Sequence, residues 1–476
     1  MPLAPHRRPR ARRRTALAAT AVIGAAGLAA APLVVRADAI PATPAAGTAA
    51  ALPLGRAVLP AGDGWASSGS GTTGGHAADA AHVFTVGTRA ELVRALGAGP
   101  AGAPRVIQVR GRIAADTDAA GHALTCADHA KGTGYSLAAY LKAYDPAVWG
   151  RRELPSGAQE SARKSAAARQ AERVLLDVPS NTTLVGVPGT DAGIEGGSLT
   201  VKKADNVIVR NLTLADTRDC FPQWDPTDGA QGNWNSAYDA LTLRGATHVW
   251  ADHNTFTDGP HFDAANPRYF GREYQVHDGA LDITNASDLV TVSYDRFLDH
   301  DKTMLIGSSD RDTKLRVTLH HNVFQGIVQR APLARVGQVH LYNNHFDTTP
   351  RHGYAHGYSV NVRAGAQVVS QYDHWTLSPD RKVSDLLSGD GTGAFDGTGT
   401  LVDGRATDLV AAYNRAHAKG IRPRADWQPR LTTGLETSAA HLPESLARRA
   451  GAGVLTARGT VGAPAAARTG AQRQPR

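Results

Sequence analysis

Three aspartates have the type and spacing for chemistry: Asp239 in Tyr238-Asp239-Ala240-Leu241, and Asp278 and Asp282 in His277-Asp278-Gly279-Ala280-Leu281-Asp282. A hard cation such as Ca²⁺ takes about six to eight oxygens, so three carboxylates supply part of a shell that water or an anionic ligand completes. Residues four apart on a straight strand lie roughly 13 Å from each other, too far for one ion. Gly279 is expected to permit the turn that closes the gap. Each aspartate by itself also suits a plain cap of a turn or strand end.

A second group is Gln329-Arg330-Ala331-Pro332-Leu333-Ala334-Arg335. The proline interrupts any regular helix between the two arginines. Each guanidinium can hold a carboxylate by two bonds, or both can be ordinary surface arginines. A third string, Asp299-His300-Asp301-Lys302, has the form of a neutralised surface loop. His253, His300, His320 and His321 show no metalloprotease spacing and read as packed or ladder residues.

The elements that must position these groups are short and β-branched. From Val174 onward, runs such as Leu184 to Val187, Asn206 to Leu214, Ala240 to Leu243, Thr247 to Phe256, Leu289 to Phe297, Leu315 to Phe324 and Val339 to Phe346 follow one another with almost no helix between. Several share a polar residue two before an aromatic: Asn254 and Phe256, Asp295 and Phe297, Asn322 and Phe324, Asn344 and Phe346, Asp373 and Trp375. These recur at intervals of 41, 27, 22 and 29 residues. A unit of about 22 residues with variable insertions predicts stacked coils whose like residues form ladders. A sandwich would show tight Asn-Gly or Asp-Gly hairpins, which do not punctuate these runs. Upstream, Thr88-Arg89-Ala90-Glu91 is a capping box predicting a helix to about Leu96. Residues 157–172 are Ala-rich with helical propensity and are expected to form a surface insertion.

The two ends differ in composition from the body. Residues 1–39 combine an Arg-rich start, an apolar run and Ala37-Asp38-Ala39, the pattern of a signal peptide, with Arg13-Arg14 compatible with a twin-arginine route as well as the general one. Residues 40–62 read as a linker, 63–455 as one domain and 456–476 as a basic flexible tail. The net charge is +8, yet residues 40–447 carry −4, because the arginines crowd the two ends. The high net charge is therefore no evidence for a basic nucleic-acid groove, and no other segment is long enough to span a bilayer. In an exported protein the two cysteines, Cys126 and Cys220, are expected to pair.

Taken together, the strings resemble the family 1 polysaccharide lyases, the pectate lyases. The resemblance runs from about Gly64 to Leu455 and rests on Phe221 to Gly229, Asn233 to Asp239, Val249-Trp250-Ala251-Asp252-His253, Asp278 to Asp282, His300-Asp301-Lys302, Gly307-Ser308-Ser309-Asp310, Thr318 to Asn322, Gln329-Arg330-Ala331-Pro332 and Gly337 to Asn344. It implies an all-β, right-handed parallel β-helix that binds Ca²⁺ through Asp239, Asp278 and Asp282. Arg330 would be the catalytic base, with Lys302 and Arg335 on the substrate carboxylate. Asp228 matches a position that in some members helps hold further calcium with substrate, and Asp252 one that is structural. Two departures stand out: Ala251 replaces a common Ile, and Leu333-Ala334 replaces Arg-Val, removing one cation near the groove.

The implied protein is a secreted monomer acting on polygalacturonate by β-elimination, with activity rising toward alkaline pH because a free guanidinium loses its proton only above about pH 12. A polygalacturonase would use paired carboxylates and leave Arg330 without a role. A pectin lyase would not need three acids, and a β-helical adhesin would need none of Lys302, Arg330 and Arg335.

Overall fold

The stacked-coil pattern follows from what the strands must bury. In Leu241–Arg244 and Leu281–Thr284, alternate residues Leu241, Leu243, Leu281 and Ile283 point into one continuous core, while Thr242, Arg244 and Asp282 point out. A short strand with one apolar face cannot bury it alone, so each coil lies on the next. A computed structural model describes residues 51–462. Among these residues the coils form three sheets of ten, eight and ten strands. Pairing within the sheets is parallel apart from the last pair, Leu401–Val402 with Arg405–Ala406. This is the expected right-handed parallel β-helix.

Polar bonds and stacked rings along the coils hold their register. Asn254 Nδ2 donates to Asp295 Oδ1 (3.1 Å), Asp295 N–H to Asn322 Oδ1 (2.9 Å), Asn322 N–H to Asn344 Oδ1 (3.0 Å) and Asn344 N–H to Asp373 Oδ1 (2.7 Å). Two residues on, Phe256, Phe297, Phe324, Phe346 and Trp375 stack with centroids 4.4–5.0 Å apart and planes within 7°. The five polar-aromatic pairs read from the sequence are thus one ladder. Each ladder residue follows one in the left-handed region: His253, Tyr294, His321, Asn343 and Tyr372 have φ between 51° and 55°. For bulky residues such a bend is unfavourable. Stacking offsets it: His253 and His321 sandwich the Tyr294 ring at 4.8 and 4.6 Å.

The capping box at Thr88 is present and opens the helix Arg89–Leu96. The helix expected at residues 157–172 forms as Ala158–Val174, but it is not a surface appendage. Glu160, Ala162, Arg163, Ala166, Gln170 and Val174 are buried. Arg163 forms two 2.8 Å bonds to Glu160 and a third to Phe221 O (2.7 Å), and Gln170 Oε1 accepts from Cys220 N–H (2.9 Å). Propensity alone shows a helix; only the buried pair shows what it props up. Beside it Cys126 and Cys220 form the expected disulfide, closing a separation of 94 residues with Cα atoms 5.3 Å apart.

The body is longer at both ends than composition suggests. Leu54, inside the expected linker, is fully buried with Val83, Val106, Val185 and Leu455. Beyond Leu455, Thr456 N–H donates to Thr460 O (2.8 Å). The expected signal segment 1–39 and the residues from 463 onward lie outside the described residues. Among the described residues no helix is long and apolar enough to cross a membrane.

Two outcomes follow. Burial holds the Asp373 carboxyl at about 7 against bonds from Ser370 and Asn344 that favour its charge. Its native value exceeds the unfolded one, so its contribution is complete below about pH 4 and is lost as pH rises through about 7. Asp373→Asn keeps the acceptor and should remove that share of the alkaline loss of stability, measured as denaturation midpoint against pH. Replacing both cysteines by serine should lower stability by roughly 2–4 kcal/mol, and free thiols in the purified wild-type chain would contradict the bridge.

Candidate active site

Strand register alone brings the three aspartates to adjoining coils. Thr242 pairs with Asp282, and Leu241 with Leu281, so Asp239 stands beside Gly279 just ahead of the two strands. Gly279 in turn bridges to Lys302 on the next coil. The role expected of Gly279 needs correction, because it makes no left-handed turn. A Cβ there would sit 2.5 Å from Asp282 Oδ1 and 2.7 Å from Asp239 Oδ1. Its missing side chain is therefore what lets two carboxylates converge, and its N–H donates to Asp239 Oδ1 (2.9 Å). Thr242 Oγ1 bonds the other Asp239 oxygen (2.8 Å), and Leu305 N–H donates to Asp282 Oδ1 (2.9 Å).

These carboxylates are in electrostatic conflict. Burial, then the charge of Asp278, raises Asp239 to about 7. Burial, then Asp239 and Asp278, holds Asp282 well above the usual carboxylate range. A bound cation would remove that conflict, and converging oxygens around a cleared space suit a hard one. Asp239 and Asp282 thus fit a share of a calcium shell, whereas Asp278 is turned toward Lys302.

The cations stand one and two coils further on. Lys302 is buried with Nζ 2.8 Å from Asp278 Oδ1. Burial opposes its charge, but Asp278 outweighs this and raises it above the usual lysine value. Arg330 follows the strand Val323–Gln329 in a left-handed conformation (φ 61°), strained for a non-glycine. Its carbonyl accepts from Met304 N–H (2.7 Å), and its buried Nε has no hydrogen-bond partner among the described residues. Arg335 is held by Asp310 (2.8 Å) and by Gly307 O (3.1 Å), which explains the Gly307 to Asp310 string. Leu333, one of the two departures, is buried beside Leu305 and adds no charge. Asp228 is not drawn in: it lies in the exposed turn between Gln223–Asp225 and Asn233–Asn235. Asp252 is buried against Arg210 Nε and Ser293 Oγ, as a structural residue should be.

A supporting layer was not legible as such. Asp258, Asp263 and His277 bring ligand-type atoms within 4.8 Å of one another. Burial disfavours charge on His277, but Asp258 and its bonds to Asp216 and Asp263 outweigh this and raise it to about 10. Ion pairs of His277 Nδ1 with Asp263 (3.3 Å) and Asp258 (3.6 Å) hold the group together. Asp263 accepts from the N–H groups of Val276 (2.8 Å) and His277 (3.2 Å), and Asp258 from His300 and Tyr354. His300 Nε2 then reaches Asp278 O (2.9 Å), fixing the backbone at Asp278. On the other flank Gln329 joins Asp301 (3.0 Å) to Tyr358 (3.1 Å) beside Arg330. Only the Asp and His types in these strings hinted at such roles.

The aspartates, Lys302 and the two arginines thus stand on adjoining coils on the outside of a parallel β-helix. Residues 156–419 match the family model described as pectate lyase. The chain is 42% identical to the pectate lyase of Bacillus subtilis (strain 168), covering 87% of this chain and 96% of that one. Its structure is similar to the pectate lyase of Acidovorax avenae subsp citrulli (32% identity, 89% and 99% coverage, TM-score 0.77) and to one described as pectate lyase bound to hexasaccharide (40%, 84% and 99%, TM-score 0.79). The chain belongs to the pectate lyase family.

Gly279→Ala puts a methyl between the two carboxylates. It should weaken Ca²⁺ binding at least tenfold by calorimetry, with the fold intact by circular dichroism; unchanged affinity would remove the acid group from consideration as the ion site.

Proposed function

We propose that this chain is an exported, calcium-dependent lyase that cuts de-esterified (1,4)-α-D-galacturonan by β-elimination, leaving unsaturated oligogalacturonides. One observation carries the reading. The three acids and the cations stand on adjoining coils, close enough for Lys302 to pair with Asp278 and for Arg330 to lower the carboxyl of Asp282. The hexasaccharide in a related pectate lyase structure supports an oligosaccharide ligand, and the Arg-rich start with Ala37-Asp38-Ala39 supports export.

Arg330, having first given a proton to solvent, takes the C5 proton of a uronate unit and so returns to the guanidinium form. The C5–H electron pair forms the C4=C5 bond as the C4–O bond breaks, and the departing oxygen gains a proton from water. Lys302 and Arg335 hold the uronate carboxylate and stabilise the negative charge that grows on it as the proton leaves. Asp310 and Gly307 O hold the Arg335 fork in one orientation beforehand, so little ordering is left for the reacting complex. Bound by Asp239, Asp278 and Asp282, Ca²⁺ would withdraw charge from that carboxylate and acidify the C5 proton. Asp228 is assigned only to further cations that arrive with substrate.

A chelator should abolish the ultraviolet-absorbing product from polygalacturonate, and added Ca²⁺ should restore it; full activity with the metal shown absent would end the calcium assignment. Arg330→Lys keeps a charge but loses the planar fork. It should lower kcat by orders of magnitude with KM little changed. Retention of more than roughly a tenth of kcat, a barrier change below about 1.4 kcal/mol, would mean that Arg330 is not the base.

A further inference from the structure

Both ring nitrogens of His277 face carboxylates, but only one of them makes a hydrogen bond. Nε2 bonds Asp216 Oδ1 at 3.3 Å. A neutral imidazole that donates from Nε2 keeps its lone pair on Nδ1. That Nδ1 lies 3.3 Å from Asp263 Oδ1 and 3.6 Å from Asp258 Oδ2, yet it forms no hydrogen bond with either. Attraction of charge alone joins it to them. All three side chains are enclosed, with His277 3%, Asp258 1% and Asp263 0% exposed.

This spacing is that of ligands around a small metal ion. Zinc takes imidazole nitrogen and carboxylate oxygen at about 2.0–2.2 Å, so neighbouring ligands of a tetrahedral ion stand roughly 3.4 Å apart. The 3.3 and 3.6 Å separations bracket that value, and one atom from each side chain lies within 4.8 Å of the others. A calcium ion would want about six to eight oxygens and no nitrogen. The surroundings also fit. Ligating histidines give their other N–H to a carboxylate, and ligating carboxylates are themselves hydrogen-bonded. Asp216 serves His277 in the first way. Asp263 accepts from Val276 N–H, His277 N–H and Asn266 Nδ2, and Asp258 from His300 and Tyr354. A cavity of about 10 Å³ adjoins Asp258, His277 and His300, close to what one water needs to serve as a fourth ligand.

We propose that Asp258, Asp263 and His277 bind a divalent transition metal of the zinc type, at a site separate from Asp239 and Asp282. The metal takes the Nδ1 lone pair, and any proton held there leaves to solvent. These side chains have no reacting role in the lyase reading, so the site stands or falls independently of it. Its effect reaches the catalytic acids through the chain. His277 directly precedes Asp278, and His300, bonded to Asp258, reaches Asp278 O (2.9 Å). A metal that locks Asp258 and His277 therefore locks the backbone that carries Asp278.

The test uses the full chain, stripped with a chelator and then given Zn²⁺ with Ca²⁺ in large excess to fill the hard-ion acids. After desalting, elemental analysis should find about one zinc per chain, and the thermal midpoint should rise with the retained metal. Co²⁺ in its place should give the visible absorption of a four-coordinate ion. His277→Gln should abolish retention. Asp216→Ala removes only the partner of Nε2 and should weaken zinc binding at least tenfold in competition with a chromogenic chelator. Asp239→Asn with Asp282→Asn should leave zinc retention unchanged. Should His277→Gln not fold, the wild-type stoichiometry and Asp216→Ala still decide the matter. Wild-type retention below about half an equivalent overturns the site. Zinc that is lost with Asp239 and Asp282, or that Asp216→Ala holds as tightly as wild type, overturns it equally.

Discussion

Hydrogen bonds running from coil to coil fix what faces what in this molecule. The amide of Asp295 bonds Asn322, that of Asn322 bonds Asn344 and that of Asn344 bonds Asp373. The parallel Phe256 to Trp375 stack lies two residues away. A slip by one residue would turn every inward side chain outward. It would also break this ladder and leave buried amides unsatisfied at about 1–3 kcal/mol each. Residues dozens of positions apart therefore become fixed neighbours, and Asp282 meets Thr242 on one side and Leu305 on the other.

On that frame the site is a balance of like charges against cations. Asp239 and Asp282 are raised because burial and their neighbours penalise ionisation. Lys302 answers Asp278 directly, and Arg330 acts on Asp282. The cluster beneath, with His277 and His300 both raised by Asp258, holds this backbone in place. Among the described residues the buried Nε of Arg330 and Nδ1 of His277 are left without hydrogen-bond partners.

The long segments between coils have their own means of order. The Cys126–Cys220 bridge, the Arg163–Glu160 pair and the cluster of Tyr140, Tyr144, Trp224 and Trp234 tie the insertion after Cys220 to the helix Ala158–Val174. Apolar rings bury enough area to fix a loop that has few ladder bonds of its own.

The sequence by itself determined the coil repeat, the ladder residues, the capped helix at Thr88, the cysteine pair, and the acids and cations that the family strings contain. Those features are written in local order, in residue types two or four apart and in spacings that recur. Tertiary structure decided the rest. Gly279 matters for the side chain it lacks and not for a turn, because its neighbours come from other coils. Helix 158–174 is a buried prop because Glu160 and Arg163 meet across one turn and reach Phe221. Asp228 stays in an exposed turn. That Asp282 stands beside Thr242 and Lys302 beside Gly279 is invisible in one dimension, since segments of different length separate them and only inter-strand pairing sets them side by side.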